Sequence, residues 1–137
     1  MRPTILLDTC ALIFMVEDRL SSSAVAALSE AYAEGRATLV SPVSAWEIGQ
    51  LTARGRIRIA SDPLGWFRRA ATSPGLALAR LPDEVLIASS YLPGTPPRDP
   101  ADRLIIAAAR AIGATVMTRD RLILSYGAEG HLATIAC

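Results

Sequence analysis

Arg98-Asp99-Pro100-Ala101-Asp102-Arg103-Leu104-Ile105-Ile106-Ala107-Ala108-Ala109 reads as a capped helix with an acid at the head of its apolar face. Asp99 reads as a helix N-cap. Pro100 reads as the first helical residue, where a missing N–H and a fixed φ cost nothing. Asp102 is then the third residue of the helix, and Ile105, Ile106 and Ala109 follow on the face it shares. The stripe that should point into the protein is therefore headed by a carboxylate. A buried charge without a partner costs several kcal/mol, so Asp102 needs one.

Outward from this helix the chain alternates short apolar runs with helical patterns. Thr4-Ile5-Leu6-Leu7 stops at Asp8 and has the length and composition of a buried parallel strand. Short helices are expected over 11–17 and 21–34, the second with Val25, Leu28 and Tyr32 as its apolar stripe and Gly35 as its stop. Residues 37–40 form the next strand. Ser41-Pro42 then caps a helix that runs through Trp46 to about Arg54. Residues 56–59 read as a brief strand or a loop, and Ser61-Asp62-Pro63 caps a helix carrying Trp66 and Phe67. A strand over 76–81, a helix over 82–91 and a Pro/Gly-rich connector over 92–97 lead back to Asp99. Beyond Gly113 come a strand ending at Thr118, a short helix from Arg121 to Tyr126 and a last strand near 133–135. Strands and helices alternating at this spacing define an α/β fold with a mainly parallel central sheet, and residues 1–137 read as a single domain.

Composition narrows the function. The 137 residues are 51% hydrophobic and carry a net charge of +1, so bulk charge does not announce a nucleic-acid binder. No apolar run approaches the ~20 residues of a membrane span, and Met1-Arg2-Pro3-Thr4 has no signal-peptide layout, so a cytoplasmic protein is expected. All fourteen basic residues are arginine. The absence of lysine excludes P-loop, Schiff-base and lysine-dependent phosphotransfer chemistry. Cys10 and Cys137 have neither metal-binding nor redox spacing and read as reduced thiols, Cys10 as a small buried residue. The only histidine, His131, lies in a Gly/Ala/Glu loop and reads as a surface residue, which leaves no Ser or Cys triad.

Four acids occupy awkward positions. Asp8 and Asp120 lie at or just past the carboxyl ends of apolar strands, the edge where ligands bind in open α/β sheets. Glu47 interrupts a helical stripe between Val43 and Leu51 and has no cation one turn away. Asp102 is the fourth. Each has an ordinary reading: Asp102 as a first-turn acid favoured by the helix dipole, Asp120 as a turn residue or N-cap, Asp8 as the partner of a core arginine. Together, several acids aimed into one crevice repel each other unless a cation sits between them. Oxygen-only ligands select a hard ion, Mg2+ or Mn2+. Such a site suits phosphodiester hydrolysis by a metal-activated water. A helix N-terminus is the wrong pole for a cation, so binding would need several carboxylates at once.

Leu6-Leu7-Asp8-Thr9, Ser41-Pro42-Val43-Ser44-Ala45-Trp46-Glu47-Ile48, Asp99-Pro100-Ala101-Asp102-Arg103-Leu104-Ile105-Ile106-Ala107 and Thr118-Arg119-Asp120 resemble the four ordered motifs of PIN-domain ribonucleases, and more narrowly of the VapC toxins of toxin–antitoxin pairs. The resemblance implies a PIN-like three-layer α/β/α fold and a Mg2+-dependent endoribonuclease with Asp8, Glu47, Asp102 and Asp120 as its catalytic and metal-holding quartet. It implies Thr9 and Thr118 as polar supports, a homodimer, a small antitoxin that blocks the groove, and DNA contact only through that antitoxin. Ala101 stands where the family usually has an aromatic. Arg98, Arg103 and Arg119, interleaved with the acids, are the candidate RNA-phosphate contacts. The rival readings are a PIN-like subunit acting in operator binding with its antitoxin, and, ranked lower, an aspartate-based phosphatase. The phosphatase pattern needs a second Asp after Asp8-Thr9 and a lysine, and both are missing.

Overall fold

The computed structural model describes residues 2–137; Met1 lies outside them. Five strands form one wholly parallel sheet: β1 (Ile5–Leu7), β2 (Thr38–Val40), β3 (Leu76–Leu78), β4 (Thr115–Thr118) and β5 (Ala133–Ala136), in the order β3-β2-β1-β4-β5. Among the described residues seven helices flank it: α1 (Thr9–Val16), α2 (Ser22–Ala33), α3 (Pro42–Ala53), α4 (Pro63–Ala71), α5 (Asp83–Ala88), α6 (Pro100–Ile112) and α7 (Arg121–Ala128).

Side chains alternate across the central strand. Ile5 and Leu7 face a core with Leu12, Ala24, Ile48 and Phe67, while Leu6 faces Ile105, Ile106, Ile123 and Tyr126 on the other side. The result is three layers, α/β/α. The register sets Leu6 of β1 beside Leu39 on one flank and Val116 on the other. The strand order changes direction between β1 and β4, which makes their carboxyl ends the topological switch point, where open α/β sheets leave a crevice.

The helix that anchors the reading forms as expected. Asp99 Oδ1 accepts from Ala101 N at 2.8 Å and Asp102 N at 3.3 Å, and Gly113 closes the helix at φ 67°, a left-handed conformation that only glycine adopts without strain. Ile105, Ile106 and Ala109 are completely buried.

Other elements depart from expectation. Helix α1 begins at Thr9, because Asp8 itself caps it. Residues 56–59 form no strand, β3 stops at Leu78 and α5 at Ala88. On α2 the period is right and the buried face is rotated from the expected one: Leu28 packs against the core, but Val25 and Tyr32 do not. Ala24 and Ala31 are buried against the sheet, whereas Val25 and Tyr32 are largely exposed and line, with Met15, Leu20 and Leu28, a cleft of about 350 Å³. Trp46 is exposed while Phe67 is buried. His131 is half-buried, its ring 5.7 Å from that of Tyr126. Among the described residues no helix is long and apolar enough to cross a membrane.

Candidate active site

Asp8 is delivered by the end of β1. Its N–H still bonds Met117 O at 3.1 Å, so the residue remains in the sheet, while its Oδ1 accepts Ala11 N at 2.8 Å and starts α1. Oδ2 accepts the hydroxyl proton of Thr118, the last residue of β4. Thr118 is completely buried and its own oxygen accepts Asp120 N at 2.9 Å. One threonine thus ties the two acids of the switch point together. Asp120 Oδ1 caps α7 through Leu122 N at 2.8 Å and Ile123 N at 3.1 Å. The N-cap reading of Asp120 is correct, and it is compatible with a place at the site.

Glu47 reaches the same edge from α3, with Oε1 accepting the hydroxyl proton of Thr9. Asp102 arrives from the first turn of α6, half-buried. The loop before it is braced from three sides. Arg103 donates to Ser89 O at 2.9 Å and Pro97 O at 3.2 Å, Tyr126 Oη donates to Pro93 O at 2.8 Å, and Thr95 N donates to Glu129 Oε1 at 2.8 Å.

The charges report on one another. Burial first, and then the carboxylates of Asp99, Asp120, Glu47 and Asp8, push Asp102 from 3.8 up to about 7. Burial pushes Asp8 up to about 6, with Asp120 adding to it, against the lowering effect of the bonds from Thr118 and Ala11. Glu47 is raised by burial, opposed by the Thr9 bond, and raised further by Asp99, Asp8 and Asp120. All four predicted acids therefore lie within electrostatic reach of each other. No arginine offsets them: the ion pairs among the described residues, Arg2–Glu30, Arg19–Glu17 and Arg36–Glu34 with the longer Arg2–Glu34, all lie elsewhere.

Four repelling carboxylates without a cationic partner are a donor set suited to a hard divalent ion. Among the described residues no three Asp, Glu, His or Cys side chains are gathered tightly enough to enclose an ion by themselves. Mg2+ does not require that. It keeps several waters and is commonly held by one or two carboxylates plus substrate oxygens, so the donor set fits it.

Two residues near the site differ from their sequence reading. Asp99 reads only as a cap, yet after burial its negative charge does more than any other carboxylate to raise both Glu47 and Asp102; its spacing of three from Asp102 is the available signal. Cys10 is exposed rather than buried, and partial desolvation followed by Asp8, Glu47, Asp120 and Asp102 pushes its thiol up to about 12. The arginines divide. Arg98, the residue before the Asp99 cap of α6, is exposed. Arg103 braces that loop, and Arg119 donates to Cys137 O at 3.0 and 2.7 Å and to Arg19 O at 3.1 Å with its guanidinium 4.1 Å from the Phe14 ring centroid. Much of the donor capacity expected for RNA at Arg103 and Arg119 is spent on the protein's own carbonyls.

Residues 5–128 match the PIN domain model. The chain therefore belongs to the PIN-domain family. Within that family it is similar to Ribonuclease VapC22 of Mycobacterium tuberculosis (strain ATCC 25618 / H37Rv), with 31% identity over 100 residues that make up 73% of this chain and 75% of that protein. Its fold matches DNA-bound VapBC from Salmonella typhimurium, with a TM-score of 0.70, 15% identity and 98% of both chains covered. It also matches VapBC2 from Rickettsia felis bound to a promoter DNA fragment, with a TM-score of 0.69, 12% identity, and 97% of this chain and 98% of that one covered.

Proposed function

We propose that this chain, acting as one PIN domain, is a cytoplasmic Mg2+-dependent endoribonuclease, with Mn2+ as a substitute, and the toxin of a VapBC-like pair. The observation that carries the reading is the convergence of Asp8, Glu47, Asp102 and Asp120 from four separate elements on the switch point, with their repulsion uncompensated by any arginine. The VapC22 relative supports RNA as substrate. The solved structures with the same fold are VapBC complexes bound to DNA, which supports a small antitoxin partner, and we assign any DNA contact to that partner. A homodimer is the assembly we assign.

Mg2+ held here would supply a water of lowered pKa and offset the charge that develops on the phosphodiester oxygens. The residues of the chain do the positioning. Asp8 and Asp102 would be the primary ligands, with Glu47 beside them and Asp120 holding the ion directly or through water. Thr118 and Thr9 aim the carboxylates of Asp8 and Glu47 by donating to them. Arg98, exposed and adjacent to the Asp99 cap, is the arginine we assign first to substrate phosphate, with Arg103 and Arg119 contributing through whatever donor capacity their braces leave.

The test is cleavage of total RNA by the purified protein with Mg2+, with excess chelator, and with Mn2+ added back. Cleavage that is lost with chelator, restored by either ion, and absent in Asp8→Asn is the expected pattern. Chelator-resistant cleavage or an active Asp8→Asn protein refutes the mechanism. If the protein never cleaves RNA but shifts operator DNA together with its antitoxin, the regulatory reading replaces it.

A further inference from the structure

We propose that Ser44 is a positioning residue for Glu47, acting through the hydroxyl of Thr9. The proposal rests on the metal-site reading above for its consequence, and on hydrogen-bond geometry for its substance.

Three side chains stand in line between α3 and the start of α1. Ser44 Oγ lies 2.9 Å from Thr9 Oγ1, and Thr9 Oγ1 donates to Glu47 Oε1. Ser44 is completely buried and Thr9 is 4% exposed, so water does not compete for the bond between them, while the Thr9–Glu47 bond is half-buried at the edge of the site. Proton counting fixes their direction. A hydroxyl has one proton and an ionised carboxylate has none to give. Thr9 spends its proton on Glu47, so the Ser44 contact is made only if Ser44 donates to Thr9. The chain therefore runs Ser44 to Thr9 to Glu47, with each bond polarising the next toward the charge at its end.

The scaffold suits that role. Ser44 and Glu47 are three residues apart on α3 and share a face, so one helix supplies both ends of the relay. Thr9 is the first residue of α1 and its β-branched side chain has few rotamers to choose from. A donor behind its oxygen leaves it one useful orientation, with the proton on Glu47.

The Asp8 side of the site repeats the pattern. There Thr118 donates to Asp8 and accepts the backbone N–H of Asp120. In both cases a buried threonine gives its proton to a carboxylate while a second donor holds its oxygen. At Asp8 that donor is backbone and beyond substitution. At Glu47 it is a side chain, which makes Ser44 the accessible control on the geometry of the acid.

The experiment is a double-mutant cycle of Ser44→Ala and Thr9→Val, read by Mn2+ binding to the protein alone (electron paramagnetic resonance of the free ion) and separately by RNA cleavage, with folding checked by circular dichroism. Outer partners of metal ligands typically contribute 10- to 100-fold in affinity or activity. Ser44→Ala should weaken Mn2+ binding by about that factor while remaining folded. In the Thr9→Val background it should have no further effect, because the relay is already cut. Unchanged Mn2+ binding in Ser44→Ala, or losses that multiply in the double variant, would overturn the proposal. If Ser44→Ala does not fold, Ser44→Cys keeps the volume with only a weak donor and serves the same cycle. An unsubstituted protein that binds Mn2+ but cuts no RNA defeats the nuclease reading alone and leaves the cycle to decide on Ser44. One that binds no Mn2+ defeats the metal reading and this proposal with it.

Discussion

Asp102→Asn should abolish RNA cleavage and, in the absence of metal, make the protein more stable at alkaline pH. In the unfolded chain an aspartate releases its proton near 3.9, whereas folded Asp102 holds it to about 7. Between those values the native state carries more protons than the unfolded one, so stability falls as pH rises and levels off above about 7. The full displacement corresponds to about 4 kcal/mol. Asp102 is half-buried, and solvent screening brings the expected penalty to about 1–3 kcal/mol. Asparagine keeps the shape and removes the repulsion from Asp99, Asp120, Glu47 and Asp8. Urea unfolding in excess chelator should therefore show the variant more stable by about 1–3 kcal/mol at pH 8, and by about a third of that at pH 5. Saturating Mg2+ should close or reverse the gap, because the ion binds the ionised site of the unsubstituted protein. A variant that is no more stable at pH 8, or whose gain is the same at both pH values, would refute the electrostatic account of the site.

Three further outcomes follow from the same geometry. Thr118→Val leaves Asp8 Oδ2 and Asp120 N without their buried partner and should cost about 1–3 kcal/mol in denaturant unfolding, with a loss in cleavage of about 10- to 100-fold; a stable, fully active variant would show the tie to be dispensable. Arg119→Ala should lower thermal stability more than RNA affinity, while Arg98→Ala should leave stability unchanged and reduce the slope of log affinity against log salt by about 0.7 for single-stranded RNA. The opposite assignment is settled by the same pair of titrations. Cys10, although exposed, should be alkylated by iodoacetamide at pH 8 about 100-fold more slowly than free cysteine, since its thiol is pushed up to about 12. Peptide mapping by mass spectrometry reads that rate, and ordinary reactivity would contradict the crowding of charge beside it.

The parts of the molecule that were legible in the sequence are those dictated locally. Ser41-Pro42 and Asp99-Pro100 place two helix starts because capping chemistry needs only neighbours in the chain. The face of α6 follows from its period, and the strand-end positions of Asp8 and Asp120 follow from where the apolar runs stop. Long-range partners were not legible. The acceptors of Arg119 come from residues 19 and 137, and Ser44 meets Thr9 across 35 positions, distances over which sequence pattern carries no signal. The face of α2 failed for a different reason. Its period admits either side, and the sheet accepts the small residues Ala24 and Ala31 where close approach matters more than apolar area. Cys10 was misplaced because a helix that starts at Thr9 turns its second residue outward.

The capping role of Asp8 and Asp120 also bears on how the crevice presents its acids. Each has committed Oδ1 to the backbone of the helix it starts, and Asp8 gives its second oxygen partly to Thr118. Each carboxylate oxygen has two acceptor lone pairs, so these bonds orient the two acids without exhausting them. The bonds that begin α1 and α7 thus set, before any ion arrives, which lone pairs of Asp8 and Asp120 remain for the crevice.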